Sequence, residues 1–543
     1  MEPMKTRLYI RSLLRSLLPA LILTISLNSC SKDDELEEDN SEVGNTPPAN
    51  GTREELTKDS IFLYAKQVYL WNDALPSYEA FNPRRYTQSA DPLDNYYSEL
   101  FAITQYKTNP ATSRPFEYVS ASANYPKYSY ITDEESNNPP RTATASVPTV
   151  SEVTLEGVGT DFGIALSAVG NQSSYQIYIR LVNPGSPAAK GSLNRGDVLT
   201  QINDHKLGSN FSIDQDVVDR AFDQSTIRLS GRKSNGATFT RSLTKQTYNS
   251  SPVYKDTVFT SGGKKIGYLA FARFANPSNA LGPLNAVFRN LSAEGVQDLV
   301  VDLRYNGGGY VSTAEHLANL IAPSSLNGQV MFTEYYNQTM QKGEATILKN
   351  QPLLDASGRS QFQNGRLITY HDIDYSIAEN TYRFRKEGSL NTVKNVVFIV
   401  TGNTASASEL LINVLKPYLN VKIVGSTSYG KPVGFFPINI DKYDVYYSMF
   451  ESRNAKGEGG YYQGFVPDAS SADDVTRDFG DPREASLAAA VRYLTAGTLT
   501  ASTQATAKIM GRNVPLSSST IKDVSKDNSF KGMIEVPSRL KIK

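Results

Sequence analysis

Two short stretches hold side chains whose types and spacing suit bond-breaking chemistry. In Thr404-Ala405-Ser406-Ala407-Ser408-Glu409-Leu410, a serine sits in a turn of small residues that opens a helix. In Ser428-Tyr429-Gly430-Lys431-Pro432, a lysine sits in a glycine-flanked loop. A serine hydroxyl attacks well only when a neighbouring base takes its proton, and a lysine kept neutral by desolvation can be that base. A third stretch, Asp302-Leu303-Arg304-Tyr305-Asn306-Gly307-Gly308-Gly309, ends in three glycines. Glycines let backbone N–H groups approach a ligand closely, and such donors are what a developing oxyanion needs. Gly307 or Gly308 is expected to supply one donor, and the N–H of Ala407 at the start of the helix the other.

These loops need rigid elements behind them. Leu299-Val300-Val301 and Val396-Val397-Phe398-Ile399-Val400 read as buried strands, and Val421 to Val424 as a third. Lys265 to Phe271 is a further strand pattern, and Ala280, Leu281, Leu284, Val287, Phe288 and Leu291 mark an amphipathic helix. Ala405 to Leu415 reads as the helix after the second strand, so Ser406 falls at a strand-to-helix junction. Strands alternating with helices predict an α/β domain. Residues 325 to 395 are polar and tyrosine-rich and read as covering strands and loops. Asp481 to Leu494 reads as a closing helix with an Ala/Leu face.

The ordered set Asp302–Gly309, Thr404–Leu411 and Gly425–Pro432 resembles the S41 family of serine peptidases, the carboxy-terminal processing type, over roughly residues 156 to 468. The resemblance implies a crotonase-like α/β domain. It also implies Ser406 as nucleophile, Lys431 as general base and peptide hydrolysis through an acyl-enzyme, with no cofactor and no metal. Val433, Phe435 and Phe436 are available as apolar walls that would lower the lysine pKa. One position departs from the family: Phe435 stands where many members carry a glutamine that orients the base. Glu409 is either a substitute orienting group or a first-turn acid that complements the helix dipole. Ser408 reads as structural.

Upstream, residues 156 to 247 form a run of short strands with turn signals. Asp161-Phe162-Gly163-Ile164 and the element Gly196-Asp197-Val198-Leu199-Thr200-Gln201-Ile202-Asn203 resemble a PDZ domain. The resemblance implies that Phe162, Gly163 and Ile164 bind peptide C-termini by carboxylate capture and strand addition. Residues from Glu54 to Leu100 read as helices, with Ile61, Tyr64, Val68 and Trp71 near helical spacing and Trp71 as a core anchor.

The chain has 543 residues, too many for one core, with 55 basic and 55 acidic side chains. No basic run or basic–aromatic face points to nucleic acid. The three histidines, His205, His316 and His371, show no metal-ligand spacing, and His316 is the one candidate for a Ser-His-Asp alternative. The single cysteine, Cys30, follows a basic start and the apolar stretch Leu17 to Leu27. That is a secretory signal pattern, and it resembles a bacterial lipoprotein box in which Cys30 is lipidated. The acidic run after it resembles the export signal of Bacteroidetes surface lipoproteins. The expected location is the bacterial cell envelope, lipid-anchored at the outer membrane on its periplasmic or outer face.

The expected organisation is multidomain α+β and α/β. It comprises a signal peptide (1–30), an acidic tether (31–52), a helical and irregular region (53–155) and a PDZ-like β domain (156–247). The S41-type peptidase domain (248–494) and a polar C-terminal tail (495–543) follow. The expected partners are protein or peptide substrates and, through Cys30, the membrane. The alternative is a catalytically weak or inactive peptide-binding surface lipoprotein, which only Phe435 favours.

Overall fold

The computed structural model describes residues 47–133, 153–355, 358–499, 506–509, 512–515, 520–523, 532–535 and 539–543. Cys30, the signal pattern and the acidic tether lie outside them. Residues from Pro47 onward form one compact unit.

Helix α1 (Arg53–Val68) starts on a reciprocal cap: Glu55 N–H donates to Thr52 Oγ1 at 3.2 Å, and Thr52 N–H to Glu55 Oε2 at 2.8 Å. It buries Ile61, Phe62, Ala65 and Val68 against helix α2 (Pro92–Thr104) and the rest of the main core. Trp71 is a core anchor, stacked on Phe116 with ring centroids 4.4 Å apart. Strand β1 (Tyr130–Asp133) joins a small antiparallel sheet with Tyr443–Tyr446, which fastens this region to the rest of the unit.

The PDZ-like sheet follows. Its strands are β2 (Ile164–Asn171), β3 (Ser174–Val182), β4 (Val198–Ile202), β5 (Thr226–Arg232) and β6 (Thr238–Thr244), with helix α3 (Phe211–Asp223) between β4 and β5. They pair in the order β6-β5-β4-β3-β2 around a separate core of Phe162, Ile164, Ile177, Ile179, Leu199 and Phe222.

The α/β part begins with β7 (Val253–Ser261) antiparallel to β8 (Lys264–Phe271). Helix α4 (Pro277–Ala293), strand β9 (Asp298–Asp302), short strand β10 (Gly308–Tyr310) and helix α5 (Val311–Ile321) come next. Strand β11 (Val330–Tyr336) belongs to a covering sheet. Strand β12 (Asn395–Val400), helix α6 (Ala407–Leu415) and strand β13 (Asn420–Gly425) complete the centre. Strands β14 (Val433–Gly434) and β15 (Phe450–Asn454) extend the covering sheet, while β16 (Ala469–Ser470) ends the main one.

The main sheet runs β7-β8-β9-β12-β13-β16, parallel from β8 onward. Its register aligns Leu269, Val301, Phe398 and Ile423 across four strands. Alternate residues face opposite sides, as strand geometry requires. Leu299, Val301 and Phe398 enter the core with α4, α5 and α6, whereas Tyr268, Val300, Val397 and Ile399 enter a second one with Leu487, Ala490 and Leu494 of helix α7 (Ala485–Ala496). Burial on both faces explains why these strands read as continuous apolar runs. The three motif loops leave the carboxyl ends of β9, β12 and β13, which are adjacent, and open α/β sheets bind ligands at that edge.

The region after α7 contributes strand β17 (Thr520–Asp523), antiparallel to β2, and strand β18 (Gly532–Ile534), parallel to β10. The sequence indicates no role for this polar stretch, but the fold makes it part of two sheets.

Candidate active site

Ser406 sits between β12 and α6 with φ 59° and ψ −111°, a conformation that L-residues avoid. Such strain costs about 1–3 kcal/mol and persists where surrounding contacts over-determine it. Here the contacts are plain. Glu409 Oε2 accepts the Ser406 N–H at 2.9 Å, and the Ser406 carbonyl accepts from Leu410 at 2.8 Å. The Ala405 N–H and the Ser408 hydroxyl both donate to the Asn306 carbonyl, at 3.1 and 3.0 Å. Ser408 is therefore a brace between two loops. Ser406 Oγ is buried and makes no hydrogen bond.

Lys431 is brought to the same place by Glu409. The carboxylate Oε2 that accepts from Ser406 also accepts the Lys431 N–H at 2.8 Å. Its Oε1 accepts from the Gly430 N–H at 2.7 Å and from the Ser428 hydroxyl at 2.5 Å. One buried carboxylate thus fixes both loops at the backbone. Burial pushes its pKa up, and these donors oppose that push. Gly430 is needed because a Cβ there, at φ +84°, would lie 2.4 Å from the Gly464 nitrogen.

The Lys431 side chain is 1% exposed. Its ammonium nitrogen donates to the Tyr128 carbonyl at 3.3 Å and lies 4.5 Å from the centre of the Phe435 ring. Desolvation drives its pKa down to about 7 and Lys127 adds to the drop, while Glu117 and Glu409 oppose it. Phe435 is thus a wall of the lysine pocket. Val433 is buried in the main core, and Phe436 stacks instead on Tyr370 at 4.4 Å.

Residues from the N-terminal region complete this pocket, and sequence reasoning misses them. Tyr128 donates its hydroxyl to the Gly430 carbonyl at 2.6 Å. Glu117, fully buried, accepts the N–H groups of Tyr128 and Ser129 at 3.0 and 2.8 Å and the Ser448 hydroxyl at 2.9 Å. The only sequence signal was an acid isolated in a polar, tyrosine-rich stretch, which is too common to single out.

In the glycine loop, the Gly308 N–H donates to Asn306 Oδ1 at 3.0 Å. A Cβ on Gly308, at φ +106°, would lie 3.0 Å from the Ala407 nitrogen and 2.6 Å from the Gly532 carbonyl oxygen. The loop therefore packs directly against the amino end of α6, beside Ser406. Arg304 is a clamp at its base. It bridges Asp302, Asp473 and Glu484 at 2.8–2.9 Å, and Arg195, in the turn before β4, reaches the same Asp473 at 2.6 Å and the Tyr305 hydroxyl at 2.7 Å.

The predicted peptide-binding residues Phe162 and Ile164 turn their side chains into the PDZ-like core. The Gly163 N–H donates to Asp161 Oδ1 at 2.7 Å, so a carboxylate of the chain already sits on that donor. His316 is engaged by Glu387 at 2.6 Å and by Asn285 at 2.9 Å.

The sequence profile of peptidase family S41 matches residues 265–471, which contain all three motif loops. The chain carries an S41 peptidase domain. The PDZ profile matches residues 152–229. A protein described as a CtpA-like serine protease from Staphylococcus epidermidis is 25% identical over 283 residues, 51% of this chain and 46% of that protein. A counterpart from Staphylococcus aureus is 25% identical over 279 residues, 51% of this chain and 46% of that protein. The chain spans about half the length of the curated relatives it matches. An S41 protease structure from Bacteroides fragilis superposes with a TM-score of 0.51 at 20% identity, covering 83% of this chain and 100% of that one. At that identity the likeness is one of fold.

Proposed function

We propose that this chain is a serine endopeptidase that cleaves exported proteins or peptides with Ser406 as nucleophile and Lys431 as general base. The carrying observation is the shared acceptor: one oxygen of Glu409 takes the backbone N–H of both residues. Ser406 Oγ attacks the scissile carbonyl as neutral Lys431 accepts its proton. The lysine then delivers that proton to the leaving amine, and water releases the acyl group. The oxyanion is held by the N–H groups of Ala407 and Gly307, since that of Gly308 is given to Asn306. Glu409 is a positioning residue. Phe435 lies against the lysine nitrogen, and a desolvating role for it supports the active reading over an inactive binding protein.

The PDZ domain supplies a strand edge for extended substrates. Capture of a substrate's C-terminal carboxylate at Gly163 requires Asp161 to move aside. Cleavage of one substrate with a free and an amidated C-terminus tests that reading, and equal kcat/KM values remove it. The envelope location rests on Cys30. Cys30→Ala should release the protein from the membrane fraction, and retention after a salt wash refutes lipidation.

The test of the chemistry is turnover of a denatured protein by the wild type, Ser406→Ala, Lys431→Ala and the double variant. Each single variant should be inactive and the double no worse, because the pair acts as a unit. Substantial turnover by Lys431→Ala refutes the assignment and directs attention to His316.

A further inference from the structure

Ser406 is fully buried and Lys431 nearly so, which no peptide substrate can reach. The covering piece is identifiable. Strand β18 lies between the glycine loop and the segment that follows the lysine. On one side it pairs in parallel with β10, with Gly308 opposite Gly532 and Gly309 opposite Met533, and the Gly532 N–H donates to the Gly307 carbonyl at 3.2 Å. On the other side Phe435 N–H donates to the Met533 carbonyl at 3.3 Å, and Glu535 N–H to the Phe435 carbonyl at 3.2 Å. The Gly532 carbonyl oxygen and the Ala407 nitrogen both crowd the same point above Gly308, at 2.6 and 3.0 Å. A backbone carbonyl of the chain thus stands at the amino end of α6, where a substrate carbonyl would approach.

The same stretch of sequence takes a second edge. Strand β17 pairs antiparallel with β2, Asp523 opposite Ser167 through Thr520 opposite Gly170. Strand β2 is the outer strand of the PDZ sheet, and it begins at Ile164, directly after the Phe162-Gly163 turn. Strand addition at such an edge is a general mode of peptide recognition.

We infer that strands β17 and β18, Thr520–Asp523 and Gly532–Ile534, form an intramolecular strap that fills both strand-addition sites of this chain, the PDZ edge and the catalytic groove, and holds the peptidase closed. This rests on the peptidase reading for its consequence, but not for the occupancy itself. The groove it marks accepts an extended peptide backbone parallel to β10, with a small residue at the Gly532 position. Buried groups hold the strap in place: Met533 packs in the main core, and Arg539 pairs with Glu535 at 2.7 Å and Glu315 at 2.9 Å. A tethered strand competes at an effective concentration of about a millimolar, so it excludes weak ligands and yields to substrates that engage both edges together.

The test uses the full chain in three forms: wild type, Met533→Glu and Gly532→Pro. The first substitution puts a charge where Met533 is buried, and the second removes the Gly532 N–H and adds a ring to the strand backbone, so one remains informative where the other misfolds. A fluorescein-labelled peptide of residues 531–540 is titrated into each, on a Ser406→Ala background, and followed by anisotropy. Hydrolysis of denatured casein is measured in parallel with Ser406 intact. The expected result is at least about tenfold tighter peptide binding by the variants than by the wild type, with kcat/KM raised by a similar factor. Equal peptide affinity in wild type and folded variants overturns the strap. A binding difference with no hydrolysis in any form upholds the strap and refutes the peptidase reading.

Discussion

The state of Lys431 allows a quantitative prediction. An ordinary lysine titrates near 10.5, and burial brings this one to about 7. In the proposed role of base it works only when neutral, so kcat/KM should rise with pH through a midpoint near 7 and level off above it. At a pH one unit below that midpoint about a tenth of the enzyme holds neutral lysine, so activity should be about tenfold below its plateau. The same shift carries a stability cost. The folded state binds this proton more weakly than the unfolded chain, so the penalty is complete below pH 7 and fades as pH rises toward 10.5. At neutral pH it amounts to about 4 kcal/mol, from about 1.4 kcal/mol per unit. Lys431→Met should therefore be inactive yet more stable than the wild type near neutrality, and this advantage should shrink steadily in alkaline buffer. Urea unfolding of both proteins and a pH–rate profile from about pH 5 to about pH 10 measure the two effects. An activity midpoint above about 9, or a Met variant less stable at every pH, would refute the desolvation argument.

Further outcomes follow from the same geometry. Glu409→Gln removes a negative charge that supports protonated Lys431, so the pH midpoint should fall below that of the wild type; it should also lower kcat about 10–100-fold through lost positioning. An unchanged midpoint in the pH–rate profile would separate Glu409 from the base. Phe435→Gln re-solvates the lysine and should move the midpoint to higher pH, measured the same way. Ser406→Gly should be more stable than Ser406→Ala by about 1 kcal/mol in denaturant melts, because glycine tolerates the positive φ at this turn.

The sequence by itself determined the chemistry-bearing loops and the elements beneath them. The apolar runs at Leu299–Val301 and Val396–Val400 read as strands buried on both faces, and the strand pattern at Val421–Val424 as a third; that these strands lie side by side, with Ser406 and Lys431 at neighbouring ends, is set by the sheet order. Gly430, Gly308 and Gly309 were legible as glycines, and the backbone approach at each leaves no room for a Cβ. The choice between two roles for Glu409 was not legible. A first-turn acid looks the same in sequence whether it faces solvent or accepts from a loop about twenty residues away, and only the packing of that loop decides. Nor could Phe435 be read as a wall of the base rather than a lost glutamine, since the distinction lies in a ring-to-nitrogen distance. Tyr128 and Glu117 reach the pocket from residues about 300 positions away along the chain, and no local pattern encodes such a contact. Strand β18 is the strongest case. Gly532-Met533-Ile534 is too short to carry a periodic signal, and its backbone bonds to Gly307 and Phe435 exist only because the tertiary structure holds open a groove one strand wide.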